Sequence, residues 1–197
     1  MTPTRSVAHT CLLIGLLPLL PVPLIDDLIR RHLSRGLYAQ LAAAHGHPSG
    51  HEALAPLSEG RGNLLLGCLI GVTWGLIKKL AKTVLYLLTV KELGDWAAEA
   101  GVRAELVRRS FAAGALPAHP AKVRDLMDAA WAAHSRSPLI ALLRGQAKGW
   151  QAGGAEPEAR LVGTLMAAAG GPAVIQAFDE ALRREGLAAP AALTAGA

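Results

Sequence analysis

His45, His47 and His51 stand in an HxHxxxH pattern, with Glu52 the only carboxylate beside them. Imidazole nitrogens suit zinc and similar ions, but a site needs three or four ligands at fixed geometry and further groups to orient them. The spacing matches no single helical face, and Gly46, Pro48 and Gly50 interrupt the run. The cluster therefore reads as an exposed polar loop, and no metal is assigned. A metal-dependent hydrolase built on this loop is kept as a third functional reading. HExxH and CxxC patterns are absent, as are GxSxG, the phosphate-cradling GxxxxGK[ST] and the dinucleotide motif GxGxxG. Cys11 and Cys68 each lie inside an apolar run, away from the electropositive, accessible setting that a reactive thiolate needs. Asp179 and Glu180 stand four before Arg183 and Arg184, the spacing of ion pairs on a solvated helix face. No catalytic residue and no cofactor is assigned.

The surrounding sequence is built for helices. Of 197 residues 38 are Ala and 34 Leu, whereas Val, Ile and aromatic residues are scarce. This composition predicts an all-α helical bundle and argues against a sandwich or barrel. A charged content of 18% against 52% hydrophobic excludes wholesale disorder. Residues 1–91 hold nine Lys or Arg and four Asp or Glu, while residues 92–197 hold eleven of each, so the excess of +5 lies in the first half. That half also carries the two most apolar runs, and basic residues beside apolar runs suit an anionic membrane surface. No basic stripe interleaved with stacking aromatics is present, and nucleic acid is not expected as a partner.

The first apolar run, residues 11–25, is too short to span: fifteen residues of helix reach about 22 Å against a hydrocarbon core of roughly 30 Å. No small-x-small cleavage site follows it, and Pro18, Pro21 and Pro23 form a turn that ends the helix or folds it back. A re-entrant or interfacial element, or a buried core helix, fits this run. Asp26 and Asp27 then open an amphipathic helix to about Ala44, with Arg30 and Arg31 four residues beyond each acid. In the second run, residues 64–77, Gly67, Gly71 and Gly75 repeat at four-residue spacing and give one helix face that lets another backbone approach closely. Lys78, Lys79 and Lys82 follow as a basic collar, placed with Arg30 and Arg31 at the membrane surface. A second amphipathic piece, residues 83–90, comes next.

The turn Pro21, Val22, Pro23, Leu24, Ile25, Asp26, preceded by Gly15 and Pro18, resembles the proline-rich turn of an uncharacterised helical, membrane-associated bacterial domain that accompanies some GTPases. The Gly67, Gly71, Gly75 run resembles the second apolar segment of that family, so the likeness covers about residues 11–95. It implies two short apolar, membrane-interacting helical segments joined to a small bundle. It carries over no nucleotide-binding role, because the chain has no GTPase module.

Amphipathic stripes continue beyond residue 91. Leu93, Trp96, Ala97, Ala100, Ala104, Val107 and Phe111 form one, and Val123, Leu126, Met127, Ala130, Trp131 and His134 the next. Helices are expected over about 138–148, 157–169 and 172–185. Residues 1–150 are taken as the membrane-associated bundle, residues 151–186 as a C-terminal helical pair packed on it, and residues 187–197 as a disordered tail. The functional reading is a non-enzymatic membrane-associated binding or scaffolding protein at the cytoplasmic face of the inner membrane. Its expected partners are anionic lipid and, through the Gly face, a protein or a second copy of the chain. The alternative is a soluble, cytoplasmic all-α module that takes a partner helix or lipid-like ligand in an apolar groove.

Overall fold

The computed structural model describes residues 5–19, 23–47, 53–58, 82–144 and 156–187, with the backbone alone at 23–27 and 82–87. Every regular element among them is helical. Helix α1 is Arg5–Leu16, followed by a 3-10 turn at Leu17–Leu19, and α2 is Pro23–Ala44. The four-residue α3 is Ala55–Ser58 and the long α4 is Lys82–Ala112. Then come α5 (Pro120–His134), α6 (Pro138–Leu143), α7 (Pro157–Ala168) and α8 (Gly171–Arg184).

Helix α4 is the axis, and α1, α2, α5, α6, α7 and α8 all pack on it. It is buried on several sides: Ala97, Ala98, Val102, Ala104, Leu106 and Val107 are each under a twentieth exposed. These small and β-branched side chains let neighbouring helices come close. The closest approach is made by α1, where a Cβ on Gly15 would lie 2.7 Å from Ala97 Cβ and 3.0 Å from the Leu93 carbonyl oxygen. A second lies on α7, where a Cβ on Gly101 would meet Met166 Sδ at 2.8 Å. Pairings along the axis give directions. Gly15 opposes Ala97 while Tyr38 and Cys11 lie deeper, near Glu99 and Arg103, so α1 runs against α4. Arg30 meets Glu99 and His45 stacks on Phe111, so α2 runs with it. Asp128 meets Arg103 and Ser137 meets Asp95, so α5 runs against it.

Several expectations change. Residues 83–90 and the stripe from Leu93 belong to one uninterrupted helix, because Gly94 and Gly101 fit inside α4 instead of ending it. Helix α2 opens at Pro23, three residues before Asp26, since the first turn tolerates a proline that has no N–H to donate. The first apolar run is split differently as well. Its helix begins at Arg5, and Val7, Ala8, Cys11, Ile14 and Gly15 form a face buried in the bundle. Helix α6 has its last helical residue at Leu143.

No single described helix is long and apolar enough to cross a membrane. Helices α7 and α8 together have sufficient apolar length, but they bend by 72° between them. Their apolar residues Val162, Met166, Val174, Phe178 and Leu182 lie in the core. The bend is made at Gly170, at φ +83°, where any Cβ would come 2.7 Å from the His134 carbonyl oxygen.

Candidate functional site

One cleft of about 350 Å³ opens where the first half of α4 meets the end of α5. Helix α4 contributes Lys91, Asp95, Trp96 and Glu99, and α5 contributes Trp131. The third wall is the α5–α6 connection, Ser135, Arg136 and Ser137, with Pro138 behind it. This wall is held in place from several directions. Ser135 leaves the helix in extended backbone and Pro138 starts the next helix. Arg136 donates its backbone N–H to the Ala169 carbonyl at 3.0 Å and its Nε to the Ala168 carbonyl at 3.1 Å. Ser137 Oγ donates to Asp95 Oδ1 at 3.0 Å. A loop tied at three points is preorganised for contact with a ligand.

The cleft's carboxylates are fully engaged. Asp95 Oδ2 takes the Lys91 ammonium at 2.5 Å, and its other oxygen takes Ser137. Glu99 Oε2 pairs with Arg30 at 2.8 Å and Oε1 with Arg103 Nε at 2.8 Å. Arg103 continues to Asp128 at 2.7 Å, joining α2, α4 and α5 in one ionic chain. Burial alone would lower the pKa of Arg103, but Glu99, Tyr38 and Asp128 outweigh it and raise it, so the guanidinium stays charged. Tyr38, buried beneath the chain, has its pKa raised mainly by desolvation. The Arg30 guanidinium carbon lies 4.8 Å from the Trp96 ring centroid, a cation–π contact that fixes the indole.

A second ionic cluster ties α4 to α8. Glu105 accepts from Arg108 and Arg109, and Arg109 pairs with Asp179. Asp179 is thus not on a solvated face: it is 8% exposed and its Oδ1 has no hydrogen-bond partner. Its position four residues after buried Ile175 puts it on the inward side of α8. Desolvation raises its pKa despite Arg109 and Arg183.

The predicted site residues are scattered. Gly67, Gly71, Gly75, Lys78, Lys79, Pro21, Cys68 and His51 lie outside the described residues, and Lys82 and Pro23 are the first residues of α4 and α2. Pro18 sits in the 3-10 turn. Arg30 is turned onto Glu99 and Trp96, and Arg31 is half-buried. His45 and His47 stack on Phe111 at centroid distances of 5.3 and 5.8 Å, and His45 Nδ1 lies 2.8 Å from the Leu41 carbonyl oxygen. Among the described residues no three His, Cys, Asp or Glu side chains are grouped to hold a metal. Cys11 is buried, and desolvation pushes its thiol pKa up to about 12.

In the sequence Trp96 and Trp131 are members of two separate amphipathic stripes, which does not reveal that they line one cleft. The Lys91–Asp95 spacing was a local signal, but the meeting of residues 95 and 137 is made by the fold alone.

Large apolar side chains form the other surface feature. Among the described residues those at least 40% exposed are Leu13, Leu16 and Leu19 after α1 begins, Leu28 on α2, Leu88 on α4, Ile140, Leu142 and Leu143 on α6, and Leu161 on α7. By the pairings above, Leu16, Leu19, Leu28 and Leu88 lie level with or before residue 97 of α4, and α6 starts beside Asp95. At the opposite end Phe111, Ala113, Ala115 and Leu116 are buried. Lys91 and the exposed Arg144 flank the apolar end.

The sequence matches no family model, no curated protein and no solved structure.

Proposed function

We propose that this chain is a non-enzymatic helical binding or scaffolding protein that rests on an anionic membrane surface through the end of the bundle where α4 begins. The observation supporting this reading is the exposure of Leu16, Leu19, Leu28 and Leu88 at that end, with Leu142 and Leu143 on α6, which starts beside Asp95. Exposed apolar side chains gathered on a folded domain mark an interaction surface. Flanking cations and the basic balance of residues 1–91 favour anionic lipid over a neutral partner. The inner leaflet is the membrane surface of that charge. Attachment is peripheral, by insertion of side chains to headgroup depth.

Fractionation tests the reading. Retention on membranes after a high-salt wash is expected for apolar insertion, whereas complete release by salt would reduce the contact to surface charge. Recovery only in the soluble fraction at low salt would count against the proposal and favour the groove-forming module.

A further inference from the structure

We infer that the cleft between α4, α5 and their neighbouring loop binds a small organic anion carrying a flat ring, of the aromatic carboxylate class. This goes beyond membrane attachment and does not depend on it.

The argument is an inventory of what the cleft has left to offer. Its two acids are charge-paired, Asp95 with Lys91 and Glu99 with Arg30 and Arg103, and Asp95 also accepts from Ser137. Its donors are not all used. Arg136 uses Nε on Ala168, and its two terminal amino groups have no hydrogen-bond partner among the described residues. Lys91 has three donors and gives one to Asp95. Neither indole N–H, of Trp96 or Trp131, has a hydrogen-bond acceptor among the described residues, and neither is a buried unsatisfied atom. A lining whose acids are already charge-paired and whose guanidinium keeps spare donors favours an anion.

The ring part follows from the two indoles. Both line the cleft in a chain that is only 4% aromatic. Trp96 is held from behind by Arg30, so its orientation is set before a ligand arrives. Two indoles in one lining favour a flat, polarisable partner. A volume of about 350 Å³ accommodates a one- or two-ring compound.

Calorimetry on the full chain without lipid, using 1-naphthoate, tests this. Saturable binding with Kd below about 1 mM is expected, accompanied by shifts of the Trp96 and Trp131 indole N–H resonances. Lys91→Gln and Arg136→Lys should each weaken it on the order of tenfold, with circular dichroism confirming the fold. 1-Naphthylmethylamine should fail to bind, and cyclohexanecarboxylate should bind several-fold more weakly. Absence of saturable naphthoate binding or equal binding of the amine would overturn the proposal. Equal binding of the cyclohexane acid would overturn its aromatic part. No vesicle is used, so failure here is distinguishable from failure of membrane attachment.

Discussion

Arg109 stands between two acids, Glu105 on its own helix and Asp179 on α8, and its removal would take from poorly solvated Asp179 its cross-helix partner, while Glu105 keeps Arg108. Arg109→Met is therefore expected to cost roughly 3–5 kcal/mol in denaturant unfolding. Asp179→Asn should cost much less, because Arg109 keeps Glu105 and the buried Oδ1 has no donor to lose. Equal losses for the two variants would contradict this asymmetry. The pH dependence has a definite sign. Asp179 holds its proton more tightly in the fold than in the unfolded chain. Its favourable contribution is present below the ordinary aspartate pKa and is lost as pH rises through the raised value. Asp179→Asn should flatten that part of the stability profile. Cys11 follows the same logic at alkaline pH. Its contribution is complete below 9.0 and is lost as pH rises towards about 12. In a Cys68→Ser background its alkylation at pH 8 should occur only as fast as the protein unfolds. Labelling at the rate of a free thiol would contradict the burial of α1.

Helix α1 depends on a residue with no side chain. Gly15→Ala would press a methyl group to 2.7 Å from Ala97 Cβ, with the Leu93 carbonyl oxygen behind it, and should destabilise by about 1–3 kcal/mol. Gly36, also helical, has nothing within 4 Å of its would-be Cβ, so Gly36→Ala should stabilise by roughly 0.5–1 kcal/mol. Denaturation midpoints that move in the same direction would refute the assigned contact. These two glycines show what was legible and what was not. Periodicity marks the stripe from Leu93 to Phe111, and the helices expected over about 157–169 and 172–185 are observed as Pro157–Ala168 and Gly171–Arg184, each burying a face at helical spacing. It could not tell that Gly15 touches another helix and Gly36 does not, since partner choice is a property of packing. The sequence pattern drew attention to Gly67, Gly71 and Gly75, which lie outside the described residues, whereas the described close approaches occur at Gly15 and Gly101. Asp179 was misread for a related reason: its i,i+4 relation to Arg183 is visible in sequence, but Arg109 lies 70 residues away.

At the scale of the molecule, the bundle has two unlike ends. Around Phe111 and Leu116 the apolar residues are covered, while around the start of α4 several leucines reach the surface beside Lys91 and Arg144. The cleft opens beside that second end, so a ligand there would lie close to the surface proposed to attach. Membrane attachment is tested most directly by co-sedimentation with anionic vesicles, comparing wild type with the triple variant Leu16→Glu, Leu19→Glu, Leu143→Glu. These side chains are 50%, 57% and 79% exposed, so the substitutions should leave the fold within about 0.5 kcal/mol per site. Each leucine lost from the headgroup region removes on the order of 1 kcal/mol, and each added carboxylate is repelled, so binding should fall by at least about a hundredfold. Wild type pelleting with anionic vesicles while the triple variant stays in the supernatant is the predicted result. Equal partitioning of the two proteins, whether bound or free, would contradict attachment through this end.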